Sequence, residues 1–305
     1  MITSNTSWTR AGQIAAIVVA FVACGDLGAA ETFRWKLTPG DRFDVTMTQS
    51  TTLTMTVGER TVEIPQSMIL NMSWRITAVD DKGLITMTQT IDRARVTMTA
   101  AGEKVKFDSN ENKEPEGVAR EIAKVIRPMV GAAFTQRMTS RGKVKEVVIP
   151  KSVVNALRTN PFLKEFFAGE GFKDMMIKAS PVFPEQAIGK GFSWKSDIAT
   201  KTPAGTMKMH STYTYQGERK LDGRPVGEFA ATVNLEFDDT ENALGAKIEI
   251  SKQKNSGTIL FDAVAGHIAR VTMDQAFTIK VTVGDDVVDQ DLKTSLTMTV
   301  KRIGN

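Results

Sequence analysis

Residues 43–76 read FDVTMTQSTTLTMTV, then GER, then TVEIPQSMILNMSWRI. The apolar side chains Phe43, Val45, Met47, Leu53, Met55 and Val57 share one parity, and Asp44, Thr46, Thr48, Ser50, Thr52, Thr54 and Thr56 fill the other. Beyond Gly58-Glu59-Arg60 the alternation resumes, with Met68, Leu70, Met72, Trp74 and Ile76 set against Asn71, Ser73, Arg75 and Thr77. A period of two sends successive side chains to opposite faces of a strand. The stretch therefore predicts an antiparallel hairpin with one apolar and one threonine-rich face. A run of about 15 residues at about 3.3 Å each spans roughly 50 Å, well beyond an ordinary strand. A bend or break is accordingly expected near Gln49–Thr51, where both parities are polar.

Working outward, Phe33-Arg34-Trp35-Lys36-Leu37 predicts a short strand ended by Pro39-Gly40, and Asp80-Asp81-Lys82-Gly83 a tight turn into Leu84–Ile91. The apolar positions Ile85, Met87 and Ile91 are odd while Val96 and Met98 are even, so a bulge is expected near Asp92-Arg93. Val118, Ile122, Val125, Ile126, Met129 and Val130 recur at helical spacing, with Pro128 closing or kinking the helix. Strands are expected at Ala133–Met138 and Val144–Ile149, turned at Arg141-Gly142. Lys151–Lys178 reads as two or three short helices broken at Asn160-Pro161 and Gly169-Glu170-Gly171, rich in Phe162, Leu163, Phe166, Phe167 and Phe172. From Phe192 to Val300 strand patterns return, with a clean apolar parity at Phe229, Ala231, Val233, Leu235 and Phe237.

The first thirty residues read as an address. A polar start with Arg10 precedes the apolar run Ile14–Cys24, too short to span a bilayer, and then Gly28-Ala29-Ala30. This predicts a secretory signal cut after Ala30 and an exported protein, periplasmic or extracellular. A rival expectation uses the only cysteine: Phe21-Val22-Ala23-Cys24 resembles a lipobox, which would make the chain lipid-anchored through Cys24. Cut after Ala30, the mature chain has no cysteine, which excludes disulfides, thiolate metal sites and cysteine nucleophiles. The net charge of +4 is spread among interleaved acidic and basic residues. No nucleic-acid partner is implied.

Three segments follow: a signal over 1–30, a β-rich half with a helical insertion over 31–180, and an antiparallel half over 181–305, with one continuous domain over 31–305 as the alternative. Leu37–Phe43 is echoed by Ile188–Phe192 and Val105–Asp108 by Ile259–Asp262, a pattern of weak internal duplication. The fold class is α+β: long antiparallel, curved sheet with a helical insertion near residues 115–178. The opening Phe33-x-Trp35-x-Leu37-x-x-Gly40-Asp41-x-Phe43, the Met/Thr strands, and Phe183-Pro184 followed by Ile188-Gly189-x-Gly191-x-x-Trp194 resemble an uncharacterised family of exported bacterial proteins. Gly257-x-x-x-Phe261-Asp262-x-x-x-Gly266-x-Ile268 fits the same pattern. The resemblance brings no catalytic residue with it. A looser likeness, at the level of fold, is to the half-barrels of periplasmic lipoprotein carriers and lipid-binding lipoproteins.

Chemistry-bearing motifs are few. His210 and His267 are far apart in sequence, and both are expected at the surface without a catalytic partner. Asp238-Asp239-Thr240-Glu241 and Asp285-Asp286-x-x-Asp289-x-Asp291 lack the spacing of a calcium loop and read as solvated turns. No catalytic, metal or cofactor site is expected. Three classes of function remain open. One is a noncatalytic binder of an apolar ligand, such as a lipid or lipidated protein, lined by Met47, Met55, Met72, Trp74, Phe162, Phe166 and Phe167. Another is a structural or protein-interaction component of the bacterial envelope. The third is an enzyme whose carboxylates come from distant strands.

Overall fold

The computed structural model describes residues 30–100, 102–158, 177, 181–202, 205–238, 247–284 and 286–304. The export segment and the phenylalanines Phe162, Phe166 and Phe167 lie outside the described residues. β1 (Arg42–Val57) and β2 (Arg60–Val79) form the expected hairpin, closed through Gly58 at φ 59°. The expected break at Gln49–Thr51 does not occur. These residues pair with β2 on one side and with β12 (Asp286–Gly304) on the other, so their backbone is held in two ladders at once. A doubly paired strand carries polar side chains straight through.

In β3 (Ile85–Ala100) the bulge stands where the parity change put it. Asn71 faces Arg93 and Met72 faces Ile91, leaving Asp92 as the extra residue. The extra residue transfers the inward set from Ile85 and Met87 to Ala94 and Val96, all buried. β4 (Glu103–Asp108) pairs with the far end of β3. α1 (Gly117–Ile126) gives way at Pro128 to a short 3-10 turn, Arg127–Met129. β5 (Ala133–Met138), β6 (Val144–Val148) and α2 (Lys151–Arg158) complete the first half. The second half holds β7 (Ser193–Thr202), β8 (Gly205–Leu221), β9 (Arg224–Asp238), β10 (Lys247–Asp262), β11 (His267–Val283) and β12.

Among the described residues all twelve strands join one curved, unclosed antiparallel sheet in the order β6-β5-β3-β2-β1-β12-β11-β10-β9-β8-β7, with β4 beside β3 off that path. Each half is a meander advancing in the same direction across the sheet, and the first strand of one meets the last strand of the other at the centre. The echoed segments correspond in chain order, although β4 pairs with β3 alone while β10 pairs with both β9 and β11. Leu37–Phe43 and Ile188–Phe192 lead into the first strands, β1 and β7, while Val105–Asp108 and Ile259–Asp262 fall on the fourth, β4 and β10.

Phe33–Leu37 is not a strand. It is an extended strap that crosses between the two wings, held by single hydrogen bonds from Trp35 N to Ser140 O (2.7 Å) and from Lys36 N to Gly266 O (2.9 Å). Partners on separate elements give no ladder, which is why an alternating sequence here does not make a sheet strand. Gly266, at φ +68°, turns directly beneath the strap: a Cβ there would lie 2.4 Å from Lys36 N. The strap's side chains feed two cores. Leu37 joins Phe43, Val45, Trp74, Ile76, Met87 and Met138 in the first wing, whereas Phe33 joins Phe183, Tyr215, Phe229 and Phe261 in the second. Trp35 and Met298 pack against both.

Candidate apolar ligand site

The two faces of the sheet differ in charge. Between Arg60 at one end and Arg302 at the other, the inward positions of β1, β2, β11 and β12 carry no ionisable side chain. The outward positions carry Asp44, Arg75, Asp274, Lys280, Asp291 and Lys293 among threonines. A charge moved from water to an apolar concavity loses several kcal/mol of hydration unless paired, on the order of magnitude seen for buried ions. The inner face of these strands is thus uncharged over that span.

Where the strap caps that face, a cavity of about 360 Å³ opens between the wings. Its walls are Trp74 of β2, Met87 of β3 and Met138 of β5 on one side, and Tyr213, Val233, Ile259 and Val271 of β8–β11 on the other. Trp35 of the strap and Met298 of β12 also line it, and among the described residues no Asp, Glu, Lys, Arg or His does. Met273 lies across Gly257, where a Cβ would stand 2.7 Å from Thr272 O and 3.3 Å from the Met273 methyl. A side chain at that position would push into the space. Two further hollows, of about 250 Å³ and 370 Å³, are lined by charged residues such as Glu114 and Arg127, or Arg141 and Glu185.

Of the side chains nominated from sequence, Trp74 (9% exposed) stands in the cavity wall and Met72 packs beside it against the first-wing core. Met47 lies half-buried on the same face, in register with Met298 and Leu70. Met55 is farther out, in register with Gln290 and Val62 near the β1–β2 turn. The remaining wall residues come from strands remote in sequence. Local alternation marked several of these as inward, Met87 in β3, Ala231 and Val233 in β9 and Met298 in β12, but not that they face one another.

One row beyond the cavity, polar side chains cross the inner face. Gln66, Thr51, Thr294, Gln275 and Asn255 are consecutive register partners over β2, β1, β12, β11 and β10. Thr51 and Thr294 share a hydroxyl hydrogen bond of 3.1 Å, and Asn255 Nδ2 donates to Val233 O at 3.2 Å. Asn255 Oδ1 and the indole N–H of Trp74 are buried with no hydrogen-bond partner. Tyr213 is held above the ordinary phenol range by burial, opposed by its hydrogen bond with Ser211. Tyr215 is pushed up to about 12 by burial first, then by the neighbouring charge of Glu31, and stays a neutral donor to it.

The histidines differ from expectation in part. His210 is 41% exposed on the outer face, but Asp197 Oδ1 lies 2.7 Å from Nδ1 and Glu236 Oε2 lies 3.8 Å from Nε2. The cross-strand pairing that brings Asp197 opposite His210 is invisible along the chain. Among the described residues the two side chains within reach of its ring nitrogens are both carboxylates. His267 is not at the surface: it is 5% exposed, its ring 5.1 Å from that of Phe43, and Nδ1–H donates to Ile268 O at 2.8 Å. The Gly266 turn folds it under the strap instead of into water. Among the described residues no three His, Cys, Asp or Glu side chains converge as a metal site.

The chain belongs to a family of unknown function (DUF6263), whose model matches residues 82–268. No curated protein matches the chain. Among solved structures it is similar to one described as lipid–protein interactions in lipovitellin, at 11% identity over 88% of this chain and a TM-score of 0.46. It spans only 26% of that lipovitellin chain. It is also similar to an exported Bacteroides fragilis protein with a YmcC-like fold, at 8% identity over 90% of this chain and 100% of the other, with a TM-score of 0.24. A third likeness is to an outer membrane lipoprotein-sorting protein domain from Vibrio parahaemolyticus, at 8% identity over 85% of this chain and 86% of the other, with a TM-score of 0.19. No helix among the described residues is long and apolar enough to cross a membrane.

Proposed function

We propose that this is an exported, noncatalytic protein that holds an apolar ligand, a lipid or the acyl part of a lipidated protein, on the concave face of its sheet. The observation that carries the proposal is the cavity of about 360 Å³ whose lining, among the described residues, contains no carboxylate, ammonium, guanidinium or imidazole group. That volume falls within the roughly 300–1,000 Å³ of small-ligand sites. Four methionines, Met87, Met138, Met273 and Met298, line it, and unbranched thioethers adapt to irregular apolar shapes. Trp74 and Met298 form the inner wall in this reading, while Met47 and Met55 continue the same surface outward. The test is native mass spectrometry of the protein purified from its own host, with titration of the uncharged fluorescent probe N-phenylnaphthylamine. The expected result is a co-purifying lipid mass and saturable probe binding that is lost when Val271→Trp fills the cavity. Absence of both lipid and probe binding removes the proposal.

A further inference from the structure

Resting on that reading, we propose that the ligand is an uncharged lipid in which an ester or amide group lies between two aliphatic portions, as in a diacylglycerol. The inner face is banded in a way that matches such a molecule. On the cavity side of the polar row stand Met273, Leu296 and Met68 with Gln49, whose Nε2 donates to Thr51 Oγ1 at 3.2 Å, and then Met47 with Met298 and Val271. On its other side stand Leu53 with Ile64, Leu292 and Phe277. Inward-facing rows repeat every second residue, so each apolar row is roughly 7 Å from the polar one at about 3.3 Å per residue. A free hydrocarbon finds amides in its path there, and a simple detergent-like molecule finds apolar surface where its head group should meet water.

The polar row also has unused capacity. Asn255 is 7% exposed and its Oδ1 has no partner, while Thr294 is 9% exposed. The side-chain amides of Gln66 and Gln275 make no hydrogen bond to any described residue, although they lie on either side of the bonded Thr51–Thr294 pair. Were the row there only to tie strands together, Gln66 would be expected to bond its neighbour Thr51, and Gln275 its neighbour Asn255, as Thr51 bonds Thr294. Amides and hydroxyls both donate and accept, which suits an ester carbonyl beside a hydroxyl. No cation faces inward between Arg60 and Arg302 to meet a phosphate or carboxylate. An anionic head at the row would be stripped of water without a counter-charge.

Displacement of bound N-phenylnaphthylamine tests this with three competitors: dioctanoylglycerol, dioctanoylphosphatidic acid of the same chains, and hexadecane. Dioctanoylglycerol is expected to compete at least about tenfold better than either of the others, the difference one or two hydrogen bonds make. In Asn255→Leu and in Thr51→Val with Thr294→Val, its advantage over hexadecane should shrink about tenfold while probe affinity stays within about twofold. The wild-type comparison stands by itself should either variant not fold. Equal competition by phosphatidic acid overturns the uncharged assignment, and equal competition by hexadecane overturns the role of the row, in both cases with apolar binding intact. If the probe does not bind at all, it is the underlying function that fails, and this inference with it.

Discussion

The two wings of the sheet are built from different materials. The C-terminal wing is packed with rings: Phe33 meets Phe229 at 4.8 Å and Tyr215 at 5.0 Å, Phe183 meets Phe261 at 4.8 Å, and Trp194 stacks on Tyr213 at 5.3 Å. The N-terminal wing is packed mainly with Val, Ile, Leu and Met around Phe43 and Trp74. Edge-to-face ring pairs add about 0.5–1.5 kcal/mol each beyond area burial and fix orientation. Aliphatic and thioether side chains fill volume without doing so. The cavity lies between a wing whose core is ring-packed and one whose core is mainly aliphatic and thioether, and on the proposed function the second is the side expected to yield to a ligand.

The largest expected effect tests the rigid side. Phe229 is 1% exposed and touches Phe33, Phe183, Trp194 and Tyr215. Phe229→Ala should cost about 3–5 kcal/mol, the range for a large ring deleted from a packed core. Denaturant midpoints measure it, and a loss under about 2 kcal/mol would show the ring cluster to be looser than its geometry implies.

On the other wing Met87 is 1% exposed but borders the cavity. Met87→Ala enlarges existing space more than it opens a new void, so its cost should sit at the low end of such changes, about 2 kcal/mol. Probe binding should persist with altered affinity. If Met87→Ala costs as much as Phe229→Ala, the contrast between the wings disappears.

Much of this architecture is legible along the chain because a period of two is a local signal. The β1–β2 hairpin, the Asp92 bulge and the Pro128 helix end all follow from residues within a few positions of one another. The misread at Gln49–Thr51 is instructive. Two inward polar residues in an apolar strand look like a break until Thr294, 243 residues away, is known to bond Thr51. The cavity walls, the strap and the burial of His267 are likewise long-range facts. Trp74 was visible as an inward aromatic, but what faces it across the cavity comes from β8–β11.

His267 sits at the seam, edge-on to Phe43, and burial lowers its pKa from the ordinary 6.5, partly offset by its bond to Ile268 and aided by the charge of Arg302. The unfolded chain therefore takes up a proton that the folded chain resists. The stability from a neutral His267 is fully present above the ordinary pKa and is lost as pH falls through the depressed folded value. Between about pH 7.5 and pH 5 the wild type should lose more stability than His267→Gln does, whatever the variant's baseline. Parallel pH curves would mean that the seam does not depend on a neutral ring.

The smallest effect belongs to the outer face of the aromatic wing. His210, Asp197 and Glu236 form a cross-strand group whose side chains are 41%, 66% and 58% exposed. Exposed pairs of this kind contribute roughly 0–1 kcal/mol, because water screens the attraction and two side chains lose freedom to make it. His210→Ala should therefore change stability by no more than about 0.5 kcal/mol. The measurement is a denaturant midpoint set beside that of Phe229→Ala, since Phe229 and His210 lie on opposite faces of the same wing. If the inner rings hold this wing, losing them is severe and losing the outer imidazole is nearly silent. A loss above about 1 kcal/mol for His210→Ala would place part of the wing's stability in its outer polar network. In that case rigidity could no longer be credited to the rings, nor the adaptability of the opposite wing to their absence.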